Sequence, residues 1–193
     1  KWPDDYFRGY WVLRTMKKTY EGTQEELDQY VNGMNTTIGN SITQVVTRDN
    51  RDHHEFPTRG SKFTWESTFS GNILGGNEDF FKHLLNFEWF SPTFWKIVLT
   101  SSFKIGVIQT LENLDNQRSI IPFDEKFIMG GNGMPYGNML RGYPDNSISP
   151  GPTGGNALLR SVTEFRVPIS ENPVIYGLVF AEMGNVWNTV SMT

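Results

Sequence analysis

The sequence predicts an all-β fold, antiparallel and of the kind that closes into a transmembrane β-barrel. Three observations carry that reading. Most of the chain alternates polar and apolar residues with a period of two, the spacing of a strand with two unlike faces. At least one segment, residues 94–108, alternates for well over ten residues, beyond the roughly 5 to 6 that are usual in soluble sheets. The connections alternate between short and long, as expected of a barrel with tight turns at one rim and loops at the other.

The cleanest strand is KFTWESTFS, which sets Phe63, Trp65 and Phe69 against Lys62, Thr64, Glu66 and Thr68. FKHLLNFEWF sets Phe81, Leu85, Phe87 and Trp89 against Lys82, Asn86 and Glu88. WKIVLTSSFKIGV sets Trp95, Ile97, Leu99, Phe103, Ile105 and Val107 against Lys96, Thr100, Ser102 and Lys104. NALLRSVTEFRVPI sets Leu159, Phe165, Val167 and Ile169 against Asn156, Arg160, Glu164 and Arg166. These four strands share one polar face. Tyr10 to Tyr20 and Ser41 to Asp49 are rich in aromatic or β-branched residues but alternate poorly. Val174 to Gly184 is a strand of small and apolar residues with one acid, Glu182, which makes seven strands in all. Between the first two, TQEELDQYV carries a capping box from Thr23 to Glu26 and predicts a short helix within a loop.

The turns SPTF (91–94) and SENP (170–173) are tight, whereas 21–39, 71–79 and 109–155 are long. Trp89, Trp95, Trp187 and Tyr176 lie near turns, where an interfacial girdle would need aromatics. A soluble β-sandwich that binds carbohydrate through its aromatics and long loops predicts the same alternation, and strand length separates the two.

Composition removes other classes. With 17 Lys plus Arg against 21 Asp plus Glu, a net charge of −4 and no block of like charge, nothing favours a nucleic-acid partner. The absence of cysteine excludes disulfides and thiolate metal sites. No apolar run approaches the roughly 18 residues of a membrane helix, which says nothing against strands that cross. RDNRDHHEF invites a metal reading, but His53 and His54 are adjacent and point to opposite sides of an extended chain. The segment from Asp49 to Gly60 reads instead as a polar turn at the periplasmic rim without an ion, its charges satisfying backbone groups. GGNGMPYG lacks the Gly-Lys-Ser/Thr and the helix that phosphate binding requires. The triplet at Asn35 is a glycosylation sequon by pattern alone. No nucleophile, base and acid converge in the pattern, so no catalytic residue is assigned and no cofactor is expected.

One residue remains. Arg141 stands alone within residues 127–156, a run with eight glycines and four prolines. Glu164 and Glu182 lie on the two following strands, on faces assigned to the interior, and a tight turn at 170–173 makes them neighbours. Two carboxylates held together need a cation, and a guanidinium can bridge both. The expectation is a loop folded into the lumen, Arg141 buried against Glu164, Glu182 or both, with Tyr143 as an aromatic wedge on the inner wall and Gly130, Gly131 and Gly142 permitting tight turns.

Four motifs, TRDNRDHHEFPTRGSKF, FIMGGNGMPYGNMLRGY, GGNALLRSVTEFRVPI and VFAEMGNVW, together spanning 47–187, resemble the C-terminal barrel domain of the BamA-like outer-membrane assembly proteins, in a version of the Bacteroidetes or a related type. The resemblance implies a sixteen-stranded antiparallel transmembrane β-barrel of the bacterial outer membrane, of which residues 1–193 hold about strands 7 to 13. The first strands, the last three and the periplasmic POTRA domains would be missing. It implies that Arg141, Gly142 and Tyr143 form the tip of the sixth extracellular loop, locked to Glu164 and Glu182. The family pattern has an aspartate where this chain has Glu182. The implied activity is folding and inserting β-barrel proteins without nucleotide, cofactor or metal. The implied partners are unfolded outer-membrane β-barrel clients, outer-membrane lipid and accessory assembly lipoproteins. A polypeptide translocator of the two-partner secretion type shares the arginine loop and is the alternative within the superfamily.

Overall fold

The computed structural model describes residues 5–111, 119–134, 137–171 and 174–189. Seven strands, β1 (Phe7–Thr19), β2 (Thr36–Asp49), β3 (Gly60–Ser70), β4 (Phe80–Pro92), β5 (Val98–Thr110), β6 (Ala157–Glu171) and β7 (Val174–Trp187), pair in sequence order. Every pairing is antiparallel. Strands of 11 to 15 residues meet or exceed the roughly 9–11 that a tilted strand needs to cross a bilayer. No helix among the described residues is long and apolar enough to cross.

An up-and-down order puts successive connections at opposite ends, so the β2–β3, β4–β5 and β6–β7 turns share one rim and the long connections share the other. The two tight turns therefore lie at one end and 71–79 and the long loop at the other, as predicted, although the β2–β3 connection at the short-turn rim, residues 50–59, is no shorter than 71–79. Glu88, Thr100, Ser102, Arg160, Val162 and Glu164 line one cavity on the concave face. The opposite face carries Trp11, Leu13, Trp89, Phe103, Leu159, Phe165 and Val179, all exposed, as a lipid-facing wall requires.

Three local expectations shift. The β4–β5 turn occupies 93–97 rather than 91–94, because Pro92 still pairs with Val98 and Trp95 adopts φ 58° at the turn's centre. Trp95 and Ile97 thus belong to the turn. The last two residues of the 170–173 turn fall outside the described residues, but β6 runs to Glu171 and β7 starts at Val174. Tyr176 does not join a girdle: it shares the inner face with Phe180 and Glu182, and its ring meets Phe56 at a 6.1 Å centroid distance. Helix α1 (Gln24–Val31) forms as expected, its capping box closed by the Glu26 carboxylate accepting from the Thr23 amide at 2.8 Å. Leu27 and Val31 pack on Ile120 at the start of the long loop.

That loop explains the principal departure. The inner face mixes charged and apolar residues near the short-turn rim but is apolar near the other, where Phe80, Ile108, Leu158 and Val186 form a buried cluster with Phe127, Met129 and Leu140 of the loop. A wall against which protein docks must be dry, and this part of the lumen is filled with chain. Single bridges Phe127 to Gly155, Met129 to Ile148 and Gly131 to Leu140 supply the backbone partners that a buried irregular segment needs.

Candidate functional site: an arginine between two wall acids

The site assembles from the register. Glu164 pairs across with Phe180, and Val162 pairs with Glu182, so the two acids lie diagonally, two residues out of step. Phe180 occupies the space between them on the same face. Leu140, 2% exposed, anchors the loop in the apolar cluster one residue before Arg141 and delivers the guanidinium to that gap. Arg141 Nε donates to Glu182 Oε2 at 2.7 Å, and Nη2 donates to Glu164 Oε1 at 2.8 Å. Its Cζ lies 3.6 Å from the Phe180 ring centroid, a cation–π contact. The planar fork thus bridges two strands over an aromatic face, which a lysine cannot reproduce.

The acids have further partners. Arg166 donates through Nε and Nη2 to Glu164 Oε2 at 2.9 and 2.7 Å. Arg160 donates through Nε to Glu182 Oε1 at 2.7 Å, with Nη2 paired to the same oxygen. The side chains of Glu164 and Glu182 are 10% and 3% exposed, while Arg141 retains 31%. Three arginines therefore serve two carboxylates whose lone pairs are well used.

Arg141, Glu164 and Glu182 meet; Gly142 and Tyr143 do not join them in the expected way. Gly142 adopts φ +85° with open space where a side chain would be, so it is needed for the turn and not for a close approach. Tyr143 is half exposed, and the aromatic contact to Arg141 is supplied by Phe180. Sequence reasoning left Arg160, Arg166 and Phe180 out of the site, although period two already placed both arginines on the face of Glu164.

Two glycines also went unread. A side chain at Gly106 of β5 would stand 2.5 Å from Phe127 Cζ, and one at Gly184 of β7 would stand 2.6 Å from Met129 Sδ. These inward positions are sockets for the loop, and a glycine inside a strand is the signal of such an approach. Lys82 adds a bond to Glu125 at 2.9 Å, Lys18 one to Asp124 at 3.1 Å, and Lys104 one to Asn138 at 2.5 Å.

Residues 4–193 match the Omp85 superfamily domain. The chain is 31% identical over 116 residues to the outer membrane protein assembly factor BamA of Nitratidesulfovibrio vulgaris, a stretch covering 58% of this chain and 13% of that protein. Its fold is similar to the crystal structure of BamA from Haemophilus ducreyi lacking POTRA domains 1-3, with a TM-score of 0.75 at 18% identity over 96% of this chain and 40% of that one. The chain thus spans a minor part of both. The domain match, together with a lipid-facing antiparallel wall, places the chain in the Omp85 superfamily of outer-membrane β-barrel proteins.

Proposed function

We propose that the chain is part of the membrane barrel of an outer-membrane protein assembly and insertion factor, in which the loop bearing Arg141, Gly142 and Tyr143 is locked to Glu164 and Glu182. The observation that carries the reading is the Arg141 bridge, 2.7 Å to one acid and 2.8 Å to the other. The assembly-factor name of the Nitratidesulfovibrio relative agrees with it. Clients are unfolded outer-membrane β-barrel chains, which add strands by backbone pairing at an exposed sheet edge in contact with lipid. Strand closure supplies the driving force, since every backbone group must be paired before it enters hydrocarbon. The factor acts without cofactor or catalytic residue, beside accessory assembly lipoproteins. The lock's part is to hold the loop inside, so that the lumen side of the wall keeps one shape while clients fold.

Arg141→Ala in the native protein tests this. It removes two charge-assisted hydrogen bonds from a partly exposed group, about 2–4 kcal/mol of loop docking. Trypsin should cut the loop faster, and assembly of a heat-modifiable barrel client should fall, with Arg141→Lys intermediate. Cleavage at the wild-type rate removes the lock from the proposal, and normal client assembly despite a released loop removes its role in function.

A further inference from the structure

The long loop meets the concave face at a second place, near its start and away from Arg141. Residues Pro122 to Lys126 form a turn, the amide of Glu125 donating to Pro122 O at 3.1 Å and that of Lys126 to Phe123 O at 3.2 Å. The turn presents two consecutive acids, Asp124 and Glu125, and each meets a lysine of the wall. Lys82 on β4 donates to the Glu125 backbone oxygen at 2.8 Å and to its carboxylate at 2.9 Å, with Nζ 5.3 Å from the Phe127 ring centroid. Lys18 on β1 lies 3.0 and 3.1 Å from the two carboxylate oxygens of Asp124. β1 and β4 are three strand spacings apart, about 14 Å along the sheet, so the turn straddles β2 and β3.

Both lysines are built into their places, each with a side chain 17% exposed. Lys82 pairs across with Thr68 and Ile108, at the edge of the dry cluster that holds Phe80 and Phe127. Among the described residues its one carboxylate partner is Glu125. A charge at the edge of an apolar cluster is disfavoured unless an acid stands beside it, and here the loop brings that acid. Lys18 is oriented from the other side by Glu78 of the 71–79 connection, at 3.4 Å. Glu78 is buried, accepts from the Thr37 hydroxyl at 2.6 Å, and occupies the space that a side chain at Gly39 would fill. The amide of Ile120 also donates to Asn77 O at 3.1 Å, which ties the same connection to the loop.

At the Arg141 site a loop cation is held by wall acids over a wall ring. Here the charges are reversed: wall cations are held by loop acids, with Lys82 over a loop ring. We propose that Lys18 and Lys82 are positioning residues of a second latch, which fixes the start of the long loop to β1 and β4 independently of Arg141. The two latches hold different limbs of one loop, and the second couples it to the 71–79 connection through Glu78. This deepens the reading of the loop as locked in place, but it concerns docking alone, so its failure is read without a client and is distinct from a failure of assembly.

Hydrogen exchange of the native protein in membranes tests it, read at the amides of Ile120 and Phe127 for the start of the loop and of Leu140, bonded to Gly131 O, for the tip. Lys82→Met, checked for folding by heat-modifiable mobility, keeps the stem, removes the charge, and should speed exchange at Ile120 and Phe127 about tenfold. Lys18→Met should act in the same sense at Ile120, whereas Arg141→Ala should act more at Leu140 than at either. Lys82→Glu and Glu125→Lys each set like charges together, and the two combined should exchange more slowly than either alone, a rescue that a packing role would not give. Wild-type exchange in either folded methionine variant removes that lysine from the latch. A charge swap no slower than the single changes overturns its electrostatic basis, and equal acceleration at start and tip in Arg141→Ala overturns its independence.

Discussion

Gly106→Ala is the smallest change that should undock the loop. The added methyl would lie 2.5 Å from Phe127 Cζ and 2.9 and 3.0 Å from its two Cε atoms, about 1 Å inside the usual 3.5–4.0 Å carbon contact. Neither side yields easily. β5 is paired on both sides of Gly106 with β4 and β6, and Phe127 is 3% exposed and fixed by backbone hydrogen bonds to and from Gly155 at 2.9 and 2.8 Å. Overpacking of this kind costs about 1–3 kcal/mol, and losing the burial of Phe127 outright costs about as much, so the expected penalty is about 2–3 kcal/mol. If opening and closing are fast relative to cleavage, trypsin should cut at Lys126 and Arg141 about 30- to 150-fold faster. Gly184→Ala should cost only about 1 kcal/mol, because the thioether of Met129 can turn aside. The decisive control is Gly106→Ala with Phe127→Ala, where the clash no longer exists and the penalties should fall short of their sum by at least about 1 kcal/mol. Cleavage of Gly106→Ala at the wild-type rate, or full additivity in the double variant, would refute the socket.

Two further outcomes are expected. Leu140→Ala, which empties a buried site in the apolar cluster, should weaken loop docking by about 2–5 kcal/mol and expose the loop to trypsin without unpairing the strands, whereas Met139→Ala, at a half-exposed neighbour, should stay within about 0.5 kcal/mol. The β2–β3 connection, residues 50–59, should open in acid. Burial disfavours the Asp52 carboxylate, but the Thr58 hydroxyl and the amides of Arg59, Thr58 and His53 outweigh that and hold it at about 2, below its ordinary 3.8. Its contribution is therefore complete above about pH 4 and lost as the pH falls towards 2, so hydrogen exchange at the amides of His53, Thr58 and Arg59 should accelerate across that window relative to Asp52→Asn, which lacks the titration. A ratio that does not change with pH would refute this.

The strands were legible because a period of two survives wherever one side meets lipid and the other a polar lumen. It blurred in β1, where Tyr10 and Val12 line a luminal cavity, and at the rim where Ile108, Leu158 and Val186 meet the loop rather than water. Turn limits moved by two and three residues around Trp95, since only the backbone conformation tells a turn tryptophan from a strand one. Glu164 and Glu182 were readable as neighbours but not their offset, because register depends on turn geometry that residue types leave open. The luminal path of the loop rests on single bridges between distant residues, for which no periodic signal exists. An aromatic beside an arginine in sequence, Tyr143, says nothing of the ring that lies beneath that arginine in space, which is Phe180.

The supply of three guanidinium groups to two carboxylates has a consequence for how the loop can leave. Were Arg141 the sole counter-ion, its departure would strand two acids in a sheltered wall, at a cost of about 3–5 kcal/mol, and the loop would be fixed for the life of the fold. Arg166 and Arg160 pair with Glu164 and Glu182 from the wall itself, so neither pairing is built on the loop. The vacated wall is charge-balanced, and it is the departing arginine that carries away the surplus positive charge. Such a latch behaves as a detent and not a weld: it favours one position, yields without damage to what it grips, and can be set again.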